Sequence, residues 1–123
     1  MKSERIFIER LVQPCITRNR GKEAFNKMQE YLIAASVEID FSNCEMVSLS
    51  FLDELIIQIH RNFKLSNVVF RVPNQLIEDR LARISGFRRV TIYSRINNKA
   101  IHEVTPQLPI PEKANFVSSK ALL

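Results

Sequence analysis

At 123 residues and 46% hydrophobic content, the chain has the size of one domain and enough apolar side chains to bury one core without staples. No stretch approaches the roughly 18 to 20 uninterrupted apolar residues that span a bilayer, and the start, MKSERIFIERL, mixes charges into its apolar run where a secretory signal does not, so a cytoplasmic protein with no membrane partner is expected. The net charge of +5 is uneven: residues 61–100 hold nine Lys or Arg against Glu78 and Asp79, while residues 41–60 carry Glu45, Asp53 and Glu54 unopposed.

In chain order, Arg5 to Val12 reads as a short strand with imperfect alternation, Ile6 and Ile8 on one side and Phe7, Glu9 and Leu11 on the other. Cys15 and Cys44 lie far apart in the sequence with no CxxC and no His-rich segment. They offer neither a zinc pattern nor a disulfide framework, and reduced thiols are expected. Residues 22–35, KEAFNKMQEYLIAA, place Phe25, Met28, Leu32 and Ala35 at helical spacing, with Lys22, Glu23, Lys27 and Glu30 outside.

Val37, Ile39 and Phe41 alternate with Glu38, Asp40 and Ser42, giving a strand whose second face must meet water, a loop or a polar contact. The next helix is expected to start near Ser50. Leu52, Leu55, Ile56, Ile59 and Phe63 face inward, Asp53, Glu54, Gln58 and Arg61 point away, and Ile57 is left on the outer side. Ser50 and Asp53 have the S-x-x-[DE] form of a capping box, which accounts for them by folding alone.

Residues 67–72, NVVFRV, suit an interior strand. Pro73 closes it and Asn74 caps a third helix, on which Leu76, Ile77, Leu81 and Ile84 are apolar. Gly86 is the expected left-handed C-cap, with Phe87 folding back as its hydrophobic contact. RVTIY, residues 89–93, is the last expected strand. From Asn97 the chain turns polar and carries Pro106, Pro109 and Pro111, which suit neither helix nor inner strand. Ile101, Val104, Leu108, Ile110, Phe116 and Val117 leave it apolar enough to dock. Strands alternating with helices point to an α/β domain with a largely parallel sheet, and an antiparallel first strand at an edge also fits the spacing.

Catalysis is not expected. Ser50, the acids and His60 include a nucleophile and a base, but ten residues of helix separate Ser50 from His60, about 15 Å along the axis. His102 lies in the tail, and two glycines, Gly21 and Gly86, exclude a Gly-rich phosphate cradle. No cofactor and no metal are expected. Free amides and the positive dipole end at a helix start favour an anion, so a phosphate on Ser50 would be well placed, although Asp53 and Glu54 would repel it.

The run VEIDFSNCEMVSLSFLDEL, residues 37–55, resembles the core of STAS domains, the fold of bacterial anti-sigma-factor antagonists, where a strand [VI]-x-[LI]-D-[LF]-S leads to a serine at a helix start. Asp40, Phe41 and Ser42 match the strand end, and Ser50 and Leu52 fall on the serine and leucine of the D-S-S-G-L turn. Ser48 stands in place of that turn's Asp, Leu49 in place of its first serine and Phe51 in place of its glycine. The pattern S-F-x-D-E in Ser50, Phe51, Asp53 and Glu54 is more similar to a STAS-like family of unknown function found beside histidine-kinase-like ATPases.

The resemblance implies a single STAS-like α/β domain over residues 1–96, with a mixed, mostly parallel sheet of four to five strands and three or more helices. A Pro-containing tail over residues 97–123, extended or docked, follows it. It also implies a non-enzymatic regulatory role: binding a protein partner such as a histidine-kinase-like ATPase or anti-sigma-type regulator through Ser48, Ser50, Asp53, Glu54 and Ile57, with Ser50 the candidate phosphorylation site. Phe51 is assigned to the core. The alternative is a nucleic-acid-binding accessory protein using the Arg-rich face of residues 80–95, with Arg80, Arg83, Arg88 and Arg89 as anion contacts. No recognised nucleic-acid motif and no row of exposed aromatics accompanies that face.

Overall fold

A computed structural model describes residues 3–107. The elements are β1 (Ser3–Phe7), α1 (Arg18–Ala34), β2 (Ser36–Asp40), α2 (Leu49–Asn62), β3 (Val68–Val72), α3 (Gln75–Arg88), β4 (Tyr93–Ile96) and β5 (His102–Glu103), with 3-10 turns at Ile8–Arg10 and Leu65–Asn67. The sheet order is β1-β2-β3-β4-β5. The first four strands run parallel, and β5 pairs antiparallel to β4.

A parallel order that follows the chain order, joined by right-handed crossovers, puts all three helices on one face of the sheet. α2 is the middle helix and packs against both α1 and α3. Burial of the strands agrees: Val68, Phe70 and Val72 of β3 are buried while Val69 and Arg71 between them are partly open. On that second face the register aligns Phe7, Asp40, Arg71 and Arg95 across β1 to β4. The polar contact required by the alternation of β2 is supplied by Arg5 and Arg71, both of which pair with Glu38 and Asp40.

Under the helices, Phe41, Phe51 and Phe70 are fully buried, with Phe41 edge-on to Phe51 and stacked near Phe70 at centroid distances of 6.4 and 6.3 Å. Such pairs add about 0.5 to 1.5 kcal/mol beyond area burial. Phe51 is therefore a core residue, as expected.

Several boundaries and one capping contact differ from the sequence reading. β1 ends at Phe7 rather than Val12, because its partner β2 ends at Asp40, opposite Phe7, and the chain then coils into the Ile8–Arg10 turn with Ile8 still buried. Gly86 lies inside α3 with no positive φ; the left-handed residue is Arg89, at φ 58° and ψ 49°. The Val90 amide donates to Ser85 O at 3.1 Å and Val90 is buried, so Val90 takes the capping contact expected of Phe87, which is exposed. Because α3 runs to Arg88, the last parallel strand begins at Tyr93 rather than Arg89.

Gly86 has a different use, since a Cβ there would lie 2.1 Å from the Gln107 carbonyl oxygen. That backbone crosses α3, and the Gln107 amide donates to Ala82 O at 2.9 Å. Val104 is buried and its amide donates to Ile92 O at 2.8 Å. The start of the Pro-containing segment thus docks and adds a strand absent from the sequence reading. Leu108, Ile110, Phe116 and Val117 lie outside the described residues. Leu76, one of the apolar residues of the third helix, is exposed.

Candidate functional site

The starts of α1 and α2 are built together. Cys15 and Val47 form an isolated parallel bridge, and the Ser48 amide donates to Cys15 O at 3.0 Å. Immediately after this short ladder, each strand of backbone turns into a capped helix. Thr17 Oγ1 accepts from the Arg20 amide at 3.1 Å, and Ser48 Oγ accepts from the Phe51 amide at 3.0 Å. The Ser48 hydroxyl in turn donates to Ile16 O.

Ser48 is therefore the N-cap of α2, in place of the Ser50 capping box expected from sequence. Counting from Ser48, the residue before the cap is Val47 and the fourth helical residue is Leu52, both buried. These are the two positions of a hydrophobic staple. Counting from Ser50 they would be Leu49 and Glu54, and a charged residue cannot staple. That signal was available in the sequence and outranks the S-x-x-D match.

Gly21 sets the spacing between the helices. A Cβ at Gly21 would lie 2.7 Å from the Phe51 carbonyl oxygen and 3.1 Å from Glu54 Cβ, so only glycine lets α1 rest on the first turns of α2. This approach delivers Arg18 to Asp53 at 2.8 Å and to Glu54 at 3.6 Å. From the opposite flank Arg88 of α3 grips Asp53 with a fork, Nε to Oδ1 at 2.9 Å and Nη2 to Oδ2 at 2.7 Å. Bidentate, charge-assisted geometry of this kind is the strong form of ion pair.

Asp53, expected to point away, is 4% exposed. The reason is its place on the middle helix: both flanks of α2 are covered, and the sequence reading considered only the side facing the sheet. The Arg88 guanidinium, seconded by Arg18, holds the Asp53 carboxyl below the usual carboxylate range despite its burial. Glu54 is half-buried and accepts from Gln58 Nε2 at 2.8 Å.

Ser50 is exposed in the first turn of α2, and its hydroxyl has no partner among the described residues. Ile57 is half-buried farther along the helix. The five residues expected to form a contact face thus divide: Ser48 and Asp53 are engaged in folding, Glu54 and Ile57 are partly covered, and Ser50 is open. The arginines divide as well. Arg80 donates to Val47 O and Arg88 is committed to Asp53, whereas Arg83 and Arg89 are exposed without partners among the described residues. Among the described residues no group of three or more His, Cys, Asp or Glu is placed to hold a metal ion, and no helix is long and apolar enough to cross a membrane.

The mostly parallel five-stranded sheet, with its three helices and the serine-bearing start of α2, makes an α/β domain. Residues 21–72, which run from Gly21 through α1, β2 and α2 to the end of β3, match the family model described as a STAS-like domain of unknown function. No curated protein and no solved structure matches the chain. Arg18 and Arg88, which complete the setting of Asp53, lie outside the matched segment.

Proposed function

We propose that the chain is a non-enzymatic regulatory interaction domain that presents the start of α2 to a protein partner, with Ser50 at the centre of the contact and as the residue whose phosphorylation switches it. The observation that carries this reading is the contrast within one helical turn: Ser50 is open and unpartnered while Asp53 beside it is fully engaged.

The same contrast answers the electrostatic objection to a phosphate at Ser50. Asp53 and Glu54 would repel an added charge of roughly −2, but Arg18 and Arg88 are ion-paired to Asp53, and Arg18 also lies near Glu54. Two cations against two anions leave the turn without net charge. The positive end of the α2 dipole then favours a phosphate, an effect worth about 0.3 to 1 kcal/mol at an exposed site. The STAS-like match supports a partner of the regulatory type, and a histidine-kinase-like ATPase is the class to test first.

The test is a calorimetric titration of the full chain against a purified histidine-kinase-like ATPase from the same source. Ser50→Asp is expected to weaken binding at least about tenfold, or about 1.4 kcal/mol, while Ser50→Ala binds as the wild type does. Equal binding by Ser50→Asp and wild type would remove the switch, and absence of binding by wild type would remove the partner class.

A further inference from the structure

Cys15 and Cys44, separated by 29 positions in sequence, bring their Sγ atoms to 3.9 Å. Cys15 is buried in the loop before α1, and Cys44 is half-buried in the loop between β2 and α2. Both line a cleft of about 600 Å³ whose other walls include Glu9, Ile16, Asn43 and Met46. A pair of structural thiols in a packed core has no such opening. Here the two cysteines, with their sulfurs 3.9 Å apart, line a cleft large enough for a small solute.

We propose that Cys15 and Cys44 form a reversible dithiol–disulfide site, oxidised by a small hydroperoxide that enters this cleft. In the first step the Cys15 thiolate attacks the peroxide; an S–O bond forms, the O–O bond breaks, and the departing hydroxide, or alkoxide from an organic hydroperoxide, leaves as water or alcohol with the proton Cys15 gave up. In the second step Cys44 Sγ attacks the Cys15 sulfenic acid; the S–S bond forms, the S–O bond breaks, and water leaves with the Cys44 proton. Each sulfur gives up one electron and the peroxide takes two. A thiol reductant reverses the result by exchange.

Three features fit these roles. The contact between the two sulfurs, in which either can donate, lowers the Cys15 thiol despite its burial and the nearby Glu9 charge, whereas Cys44 is pushed up. Cys15 is thus the attacking thiolate and Cys44 the resolving thiol, in line with the dependence of cysteine reactivity on the thiolate form. Glu9 lines the cleft, and its Oε1 is buried without a hydrogen-bond partner among the described residues. The S–S bond is about 2 Å long, so the sulfurs, now 3.9 Å apart, approach each other by about 2 Å to form it.

The position gives the bond a consequence. Cys15 O holds the Ser48 amide, and Cys44 lies four residues before that cap. A disulfide would tie the α1 and α2 starts together beside the Ser48 cap.

The test treats the purified full chain with hydrogen peroxide, then alkylates it under denaturing, non-reducing conditions for intact mass analysis. Expected is loss of both alkylatable thiols and of two hydrogens within one chain, with both thiols restored by a thiol reductant. Cys44→Ser should stop at a Cys15 sulfenic acid that dimedone traps, and Cys15→Ser should leave Cys44 alkylatable at the same peroxide dose. Retention of both thiols, a disulfide between two chains, or separate oxidation of each cysteine in the wild type would overturn the proposal. None of these readouts requires the Ser50 contact.

Discussion

Asp53 and Glu78 are both buried carboxylates, on the neighbouring helices α2 and α3, but they are held in different ways. Asp53 lies between two guanidinium groups, which carry charge at every accessible pH, and it joins all three helices. Glu78 accepts from the Ser94 hydroxyl at 2.5 Å and meets His102 Nε2 at 2.9 Å, joining α3 to β4 and β5. His102 is half-exposed and is charged only when protonated. The first arrangement is a permanent clamp under the serine-bearing turn; the second fastens the late strands at the sheet edge. Burial alone therefore does not mark a functional acid, because its partners decide what it does.

The largest expected effect tests the clamp. Asp53→Ala leaves Arg88 and Arg18 without their acid, and removing one partner of a buried pair costs about 3 to 5 kcal/mol. Both arginines reach solvent, so the lower end, about 3 kcal/mol, is expected in urea unfolding. A loss under about 1 kcal/mol would reduce the clamp to a surface ion pair. Its pH dependence follows from the depressed Asp53 pKa. The stabilisation is fully present above the unfolded-state value of about 3.9 and is lost as pH falls through the lower folded value. Unfolding free energy of the wild type should therefore drop more steeply below about pH 4 than that of Asp53→Asn.

A smaller effect probes the other carboxylate. Ser94→Ala removes the buried donor to Glu78, and an unmade buried hydrogen bond costs about 1 to 3 kcal/mol. Hydrogen exchange should show the loosening first at β5, because that strand is short and at the edge. Uniform loosening across β1 to β3 would contradict the assignment of Glu78 to the sheet edge.

The element order, the mostly parallel sheet and the core role of Phe51 were legible because apolar periodicity and β-branched runs act locally. The misreadings came from contacts between elements distant in sequence. Gly86 has the local signature of a C-cap, yet its small size serves the crossing of Gln107. Asp53 reads as outward on an isolated helix and is buried only because α1 and α3 supply arginines from both sides. Cys15 and Cys44 carry no spacing motif, and their approach depends on how two loops fold over the helix starts. The sequence pointed to residues 48–57, but which of them are engaged in folding and which are left open was not readable. Only the staple formed by Val47 and Leu52 gave a local sign that Ser48 is the cap.

That division is the central claim, and paired unfolding measurements on Ser48→Ala and Ser50→Ala test it most directly. Ser48→Ala is expected to cost about 0.5 to 2 kcal/mol as a lost N-cap, and Ser50→Ala to stay within about 0.5 kcal/mol of wild type as an exposed substitution. The reverse order would make Ser50 the cap and contradict its assignment to the contact surface.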